Sequence, residues 1–338
     1  MQRRVGFRIA PRRTAMNWGS KVTVCIAVLC YSRSRIITIS DMKTTFGGLY
    51  SADEMSLKVK ALVRNWLVLQ AGNDITDANP VIERARSILG GQADPTPFAV
   101  VSALHKAHQE WHCQQVESQV LAQYGLTLPA FLKDGKKKLT EQVFNRIGEA
   151  IAHVSLSLEF LVAGFDSAGE GHIWHVTGCQ QPANYDDVGF CAIGTGSEGA
   201  INALAFHVGR THLSAYVPWE YAVYCACDAK FRAEAASDVG KSTFLTISAH
   251  DAEVQFISPM RIDQDIRKHW ERRGAHRIAP SITKLIPDLV CTASELSFDN
   301  PEGLRKFIGK NSRSPHQANI HQVFVALKRS FALHNATK

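Results

Sequence analysis

The rhythm of apolar and polar positions changes several times along the chain, and the changes mark its elements. From 22 to 40 the run "VTVCIAVLCYSRSRIITIS" reads as two β-rich arms around the polar turn Ser32-Arg33-Ser34-Arg35. "NWLVLQAG" at 65–72 is a further buried strand that ends on a glycine. The period then lengthens: Val81, Ile82, Ala85, Ile88 and Leu89 recur at helical intervals over 77–89. Asp94-Pro95-Thr96-Pro97 closes that helix and opens a second, with Thr96 as N-cap and Pro97 first in the helix, running to about Leu121. Residues 123–139 read as a polar connector, and Val143, Ile147 and Ile151 mark a third helix. Strands return at "LEFLVAGFD", "HIWHVT" and "VGFCAIG". Helices follow near 198–208 and 218–236, the latter with a stripe of Ala222, Ala226, Ala229 and Ala233, small enough for close helix packing. "STFLTIS" and "EVQFIS" finish the block.

This order lacks the regular strand-helix alternation of a parallel doubly wound sheet. It predicts an α+β fold of stacked antiparallel sheets with helices on their outer faces. From about Pro259 the texture changes to the charged "RKHWERRGAHR", and "IHQVFVALKRSFALH" reads as a separate amphipathic helix. Residues 259–338 are therefore expected to form an appendage. No internal repeat or low-complexity tract is visible.

Composition narrows the function classes. At 338 residues, 45% hydrophobic and 20% charged, the chain can bury a full core. Its formal charge of +7 suggests a nucleic acid or a membrane until the charge is located. Residues 1–22 hold Arg3, Arg4, Arg8, Arg12, Arg13 and Lys21 with no acid, which leaves 32 bases against 31 acids in the rest. The basic character belongs to a tail, read as disordered, with Met16 as a second candidate start. An Arg-rich, acid-free start is also similar to an organelle transit peptide. The tail lacks the apolar stretch of a secretory signal, and no run reaches membrane-spanning length. With the body near neutral, neither a nucleic acid nor a membrane is the expected partner. Eight scattered cysteines without a C-x-x-C pair suit a reducing cytoplasm and argue against structural zinc.

Some motifs carry less than they promise. "DVGKST" at 238–243 is similar to the end of a phosphate loop, but a helix precedes it and a strand follows, the inverse of what that motif needs. It reads as a helix-to-strand turn. His105, His108 and His112 share a helical face, which more often packs or faces water than binds metal. His172, Trp174 and His175 alternate on a strand with no partner motif.

One ordered set remains. Thr23 opens the first strand; the return arm ends at "ISDMKTTFGG", giving Asp41, Lys43, Thr45 and Gly47 at two-residue steps. Lys58 follows in "SLKVKAL", then Ala71-Gly72 with Asp74 and Asp77 after it, and "AIGTGSEGA" with Thr195. Over residues 23–258, interrupted by a helical insertion at about 95–155, this order resembles the proteasome-like branch of the N-terminal nucleophile (Ntn) hydrolases. The match is to bacterial relatives whose first strand begins Thr-x-Cys.

The resemblance implies a four-layer α-β-β-α sandwich and a threonine hydrolase that cleaves peptide or amide bonds without cofactor or metal. Thr23, exposed by removal of the tail, would be the nucleophile and its own α-amine the base. Lys58 would hold positive charge beside the hydroxyl, with Asp41 orienting and balancing it. The Gly72 N–H would face the oxyanion. Thr195 stands where the family usually has serine. Lys43, Thr45 and Gly47 would form the substrate rim, Thr45 offering its backbone to an extended peptide. Homo-oligomeric rings or stacks, and an ATP-dependent unfoldase partner, are also implied. Cys25, on the same strand face as Thr23, is a rival nucleophile.

The sequence departs from the family's pattern in three respects, one being that Thr23 as written lies in mid-chain with no free amine. Val22 stands where self-cleaving precursors present glycine, and the late Asp-x-x-Ser-Gly element keeps only Gly240, with Ala236 and Val239 at the other positions and Ser237 and Asp238 close by. These departures motivate the alternative of a catalytically inactive structural or assembly subunit.

Overall fold

The apolar run at 25–41 folds back on itself: β1 (Cys25–Cys30) and β2 (Arg35–Asp41) pair antiparallel, Cys25 opposite Ser40 and Cys30 opposite Arg35. Between them Tyr31, Ser32 and Arg33 all take positive φ. That costly turn is held by the Gly171 N–H on the Arg33 carbonyl at 2.9 Å and by the Arg33 guanidinium on Glu170 at 2.6 Å. The computed structural model describes residues 23–46, 50–52, 57–72, 77–178, 180–211, 217–273, 280–292 and 294–295, with 44–46, 50–52 and 208–211 described as backbone.

Within those residues the strands form two antiparallel sheets and a hairpin. The first sheet has the order β10-β1-β2-β11-β12-β13, adding Phe190–Ile193 (β10), Thr243–Ala249 (β11), Gln255–Ile257 (β12) and Cys291–Thr292 (β13). The second runs β5-β6-β7-β8-β9, from Val59–Val63, Trp66–Gly72, Leu158–Phe165, Gly171–Thr177 and Ala183–Asn184. Thr44–Phe46 (β3) and Tyr50–Ala52 (β4) pair as a separate hairpin.

The helices are α1 (Ala78–Leu89), α2 (Pro97–Val116), α3 (Leu128–Lys138), α4 (Glu141–His153), α5 (Ser197–Thr211), α6 (Trp219–Ala233) and α7 (Pro280–Leu289). A further helical run, Pro259–Arg261, passes through a π-turn (Ile262–Arg267) into Lys268–Arg273. None of the described helices is long and apolar enough to cross a membrane.

β1 explains how these parts stack. Its six residues, Cys-Ile-Ala-Val-Leu-Cys, contain nothing polar, so both faces must be covered. Ile26, Val28 and Cys30 pack with Ala203 and Leu204 of α5 and with Ala222, Ala226 and Ala229 of α6. Cys25, Ala27 and Leu29 pack instead with Leu67, Leu69, Leu161 and Ile173 of the second sheet. That sheet's other face, with Trp66, Val68, Phe160 and Val162, meets Val81, Ile82 and Ala85 of α1 and Val100 and Leu104 of α2. The alanine stripe of α6 is wholly buried, as close packing requires.

Residues 123–139 differ from the expected connector. Most of the stretch is α3, started by Thr127, whose hydroxyl accepts from the Ala130 N–H, with Pro129 in the first turn. Phe131 stacks on Phe144 of α4 at 4.8 Å, and Lys136, Lys137 and Lys138 sit at the C-terminal end that favours cations.

Beyond Pro259, Ile262, Ile266, Ile282, Ile286 and Leu289 enter the core shared by β1 and α6, and β13 extends the first sheet through β12. The basic tail at 1–22 and the amphipathic segment at 320–334 lie outside the described residues.

Candidate active site

Strand register brings the site together. Antiparallel pairing of β1 and β2 places residues 23 and 24 across from Asp41, and the Asp41 N–H donates to the Val24 carbonyl at 3.2 Å. β11 pairs on the other side of β2, with Thr243 opposite Asp41, so the turn before β11 arrives at the same edge. β10 pairs with β1, Ile193 opposite Cys25, which delivers the 194–196 turn to Thr23. Lys58 comes from the second sheet, just before β5; its carbonyl accepts the Gln70 N–H at 3.1 Å. The Cys25 thiol spans the gap between sheets to the Gln70 carbonyl at 3.3 Å.

At this edge the Thr23 hydroxyl donates to Asp41 Oδ1 at 2.5 Å and accepts from Lys58 Nζ. Lys58 Nζ also donates to Asp41 Oδ1 at 2.8 Å, as does the Val24 N–H at 2.9 Å. Asp41 Oδ2 accepts the Lys43 and Gly240 N–H groups, each at 3.2 Å. Thr23, Asp41 and Lys58 are buried. Taking such an ion pair out of water costs several kcal/mol per charge, and only complete hydrogen bonding makes it tenable. Both carboxylate oxygens are so supplied. Chemically, the hydroxyl lies between an ammonium that favours its alkoxide and a carboxylate that fixes it, which is how a weak nucleophile is prepared.

Cys25 is not prepared in this way. Burial pushes its thiol up to about 12, against the nearby Lys58 ammonium, and a thiol held neutral is a poor nucleophile.

The remaining expected residues divide. Gly72 ends β6 opposite Leu158, two residues past Gln70, and a Cβ there would stand 2.4 Å from the Ser157 carbonyl oxygen. Lys43 gives its backbone to Asp41, while its side chain reaches the Ser237 carbonyl at 3.2 Å. Thr45 lies mid-β3 opposite Ser51. Thr195 is exposed, and its hydroxyl takes no part in the contacts joining Thr23, Asp41 and Lys58. Gly47 and Asp74 lie outside the described residues.

The neighbours of Thr195 matter more than Thr195 itself. Gly194 has φ +89°, and a Cβ on it would meet the Thr23 carbonyl oxygen at 2.5 Å. The Gly196 N–H donates to that same oxygen at 3.2 Å. The glycines of "AIGTG" are the sequence signal for this contact: Gly194 needs left-handed backbone beside Thr23, and a Cβ on Gly196 would crowd Val239 and Ala233.

The other motifs find ordinary partners. "DVGKST" forms the turn between α6 and β11. His108 and His112 face the Leu158 and Val154 carbonyls, and among the described residues no group of three metal donors gathers. His172 meets Asp186 at 2.7 Å and Asp166 at 3.5 Å, a pairing the strand pattern did not reveal.

No protein-family model matches the chain, and no curated protein is significantly similar to it. The functional reading therefore stands on the geometry.

Proposed function

We propose that the chain is a proteasome-like threonine hydrolase, built as a four-layer α-β-β-α sandwich of the Ntn type, which cleaves peptide or amide bonds with Thr23. The observation that carries this is the Thr23 hydroxyl bonded at once to Asp41 Oδ1 and Lys58 Nζ. Once Thr23 is a free N-terminus, its α-amine takes the hydroxyl proton as Oγ1 forms a bond to the substrate carbonyl carbon. Lys58 steadies the charge on Oγ1, and Asp41 keeps Lys58 in place. The Gly72 N–H serves the carbonyl oxygen as it becomes an oxyanion. The carbon–nitrogen bond then breaks, the amine leaves with a proton, and water hydrolyses the threonine ester to restore the hydroxyl. The backbone edge of β3, at Thr45, receives the extended substrate. Homo-oligomeric rings or stacks, an ATP-dependent unfoldase partner and a cytoplasmic location belong to the same reading.

A second reading has its own observation: Val22 precedes Thr23, which favours a chain that is never cut there and acts as an assembly subunit. Intact mass and a labelled threonine-directed electrophile separate the two. The hydrolase predicts a species beginning at Thr23 that carries the label and loses it in Thr23→Ala. A full-length chain that stays unlabelled supports the assembly subunit instead.

A further inference from the structure

Lys230 is a fully buried lysine that takes no part in the chemistry above. It lies near the C-terminal end of α6, and its ammonium has three acceptors: Glu234 Oε1 at 2.5 Å, the Gly240 carbonyl at 2.8 Å and the Lys241 carbonyl at 2.6 Å. Three donors meet three acceptors, so the group is satisfied without water. Burial holds its pKa below that of an ordinary lysine, and Glu234 opposes the shift.

Arg267, from the π-turn after β12, completes the assembly. Its guanidinium grips Glu234 bidentately at 2.7 and 2.8 Å, donates to the Lys241 carbonyl at 2.8 Å, and is braced by Asp263 at 2.8 Å. The guanidinium lies over the Phe231 ring, 4.1 Å from its centroid. Two cations, held by the carboxylates of Glu234 and Asp263, thus pin the carbonyls of residues 240 and 241. The N–H of the same Gly240 donates to Asp41 Oδ2.

Stability alone is a weak reason for such a network. Buried charge triads can often be replaced by apolar side chains with no loss of stability, because desolvation consumes what pairing returns. π-turns, moreover, are frequent at functional positions. What distinguishes this cluster is where it ends, one hydrogen bond from the carboxylate that holds Thr23 and Lys58.

We propose that Lys230, Glu234 and Arg267 are positioning residues: they fix the 240–241 turn so that the Gly240 N–H orients Asp41, and through it Lys58 and Thr23. The inference rests on the hydrolase reading for its consequence in catalysis, while the clamp itself is a statement about Gly240 and Asp41.

The test uses the full chain with Lys230→Met and, separately, Glu234→Gln, the milder change that decides the matter should Lys230→Met fail to fold. Hydrogen–deuterium exchange of the Gly240 amide, read by mass spectrometry, should quicken by about tenfold or more in a folded variant, as expected for loss of one buried hydrogen bond. Thr23 labelling should slow by about tenfold with its pH midpoint displaced, while the concentration giving half-maximal rate stays put. A folded variant with parental Gly240 exchange overturns the clamp. Faster Gly240 exchange with an unchanged labelling rate and pH midpoint overturns its role in positioning. A parent protein that never labels at Thr23 overturns the hydrolase reading, and the Gly240 exchange then still decides the clamp.

Discussion

Lys58 and Asp41 meet at 2.8 Å with 2% and 0% of their side chains exposed, although they belong to different sheets. Asp41 ends β2 in the first sheet and Lys58 leads into β5 in the second, so the ion pair ties the two sheets together at one edge. The same pair therefore bears on stability and on the hydroxyl between them.

Removing one partner of a buried pair leaves the other as an uncompensated charge. Lys58→Met should cost about 3–5 kcal/mol of unfolding free energy. Asp41→Asn removes the charge and keeps one of the two acceptor oxygens, either for the Val24 N–H or for the Lys43 and Gly240 N–H groups, so adding it to Lys58→Met should recover part of that loss. Urea unfolding of the two single variants and the double variant measures the coupling. Purely additive losses would show that the two charges do not depend on each other in the fold.

Thr23 and Cys25 are both buried, but only the Thr23 hydroxyl is bonded to Asp41 and Lys58, so the two candidate nucleophiles can be told apart. Cys25 is buried with its thiol pushed up to about 12, whereas Cys113 is exposed on α2. Brief treatment of the folded protein with iodoacetamide near neutral pH should modify Cys113 and spare Cys25, as peptide mapping can report. Cys25→Ser should leave electrophile labelling at Thr23 intact. Modification of Cys25 as fast as Cys113 would instead make the thiol the reactive group.

Gly194 and Gly91 separate backbone strain from crowding. Both have positive φ, +89° and +75°, but a Cβ on Gly91 meets nothing within 4 Å, while one on Gly194 meets Thr23 O at 2.5 Å and Thr23 Cγ2 at 2.7 Å. Gly91→Ala should cost only the left-handed penalty, about 1–2 kcal/mol. Gly194→Ala should cost clearly more, about 3 kcal/mol or above, and should displace Thr23. Equal losses in urea unfolding, with the Thr23 labelling rate kept in both, would mean that the 194 turn does not hold the hydroxyl.

Much of this site could be read from the sequence because strand register is local. Two arms around a short turn set residue 24 opposite residue 41, with Thr23 next to it, whatever the rest does, and the alternation of β1 follows from the pleat. Lys58 could not be placed by register, since it lies in another sheet; only its order in the resembling family pointed to it. The helix α3 was hidden because Leu128, Phe131 and Leu132 are too few to set a period beside four lysines. The clamp was hidden for a different reason: Lys230 and Glu234, four residues apart at the end of α6, look like a solvated ion pair, and only tertiary packing buries Lys230. Arg267 finds Glu234 across 33 residues, a pairing no local pattern encodes.

His172 gives the chain a pH dependence that can be tested apart from any activity. Its Nδ1 lies 2.7 Å from Asp186 Oδ2 and its Nε2 3.5 Å from Asp166 Oδ2, and the ring stacks on Trp66. The hydrogen bond to Asp186 raises its pKa above the ordinary value, against partial burial. Burial alone would raise Asp186, but bonds from His172, Asn184 and the Ile173 N–H hold it below the usual carboxylate range. Arg33, on Glu170, Asp187 and the Asp186 carbonyl, brings further charge to the cluster. Because folded His172 binds its proton more tightly than unfolded His172, its stabilisation is complete below the unfolded value, about pH 6.5, and fades as pH rises through the folded value. On the acid side, the Asp186 contribution is present above about pH 3.9 and is lost as pH falls through its depressed value. The unfolding free energy of the parent minus that of His172→Gln should therefore be largest near about pH 5–6 and shrink towards about pH 9. His108, which burial shifts the opposite way, is present in both proteins and cancels in the difference. A difference that stays level across that range would mean that His172 holds no extra proton in the fold.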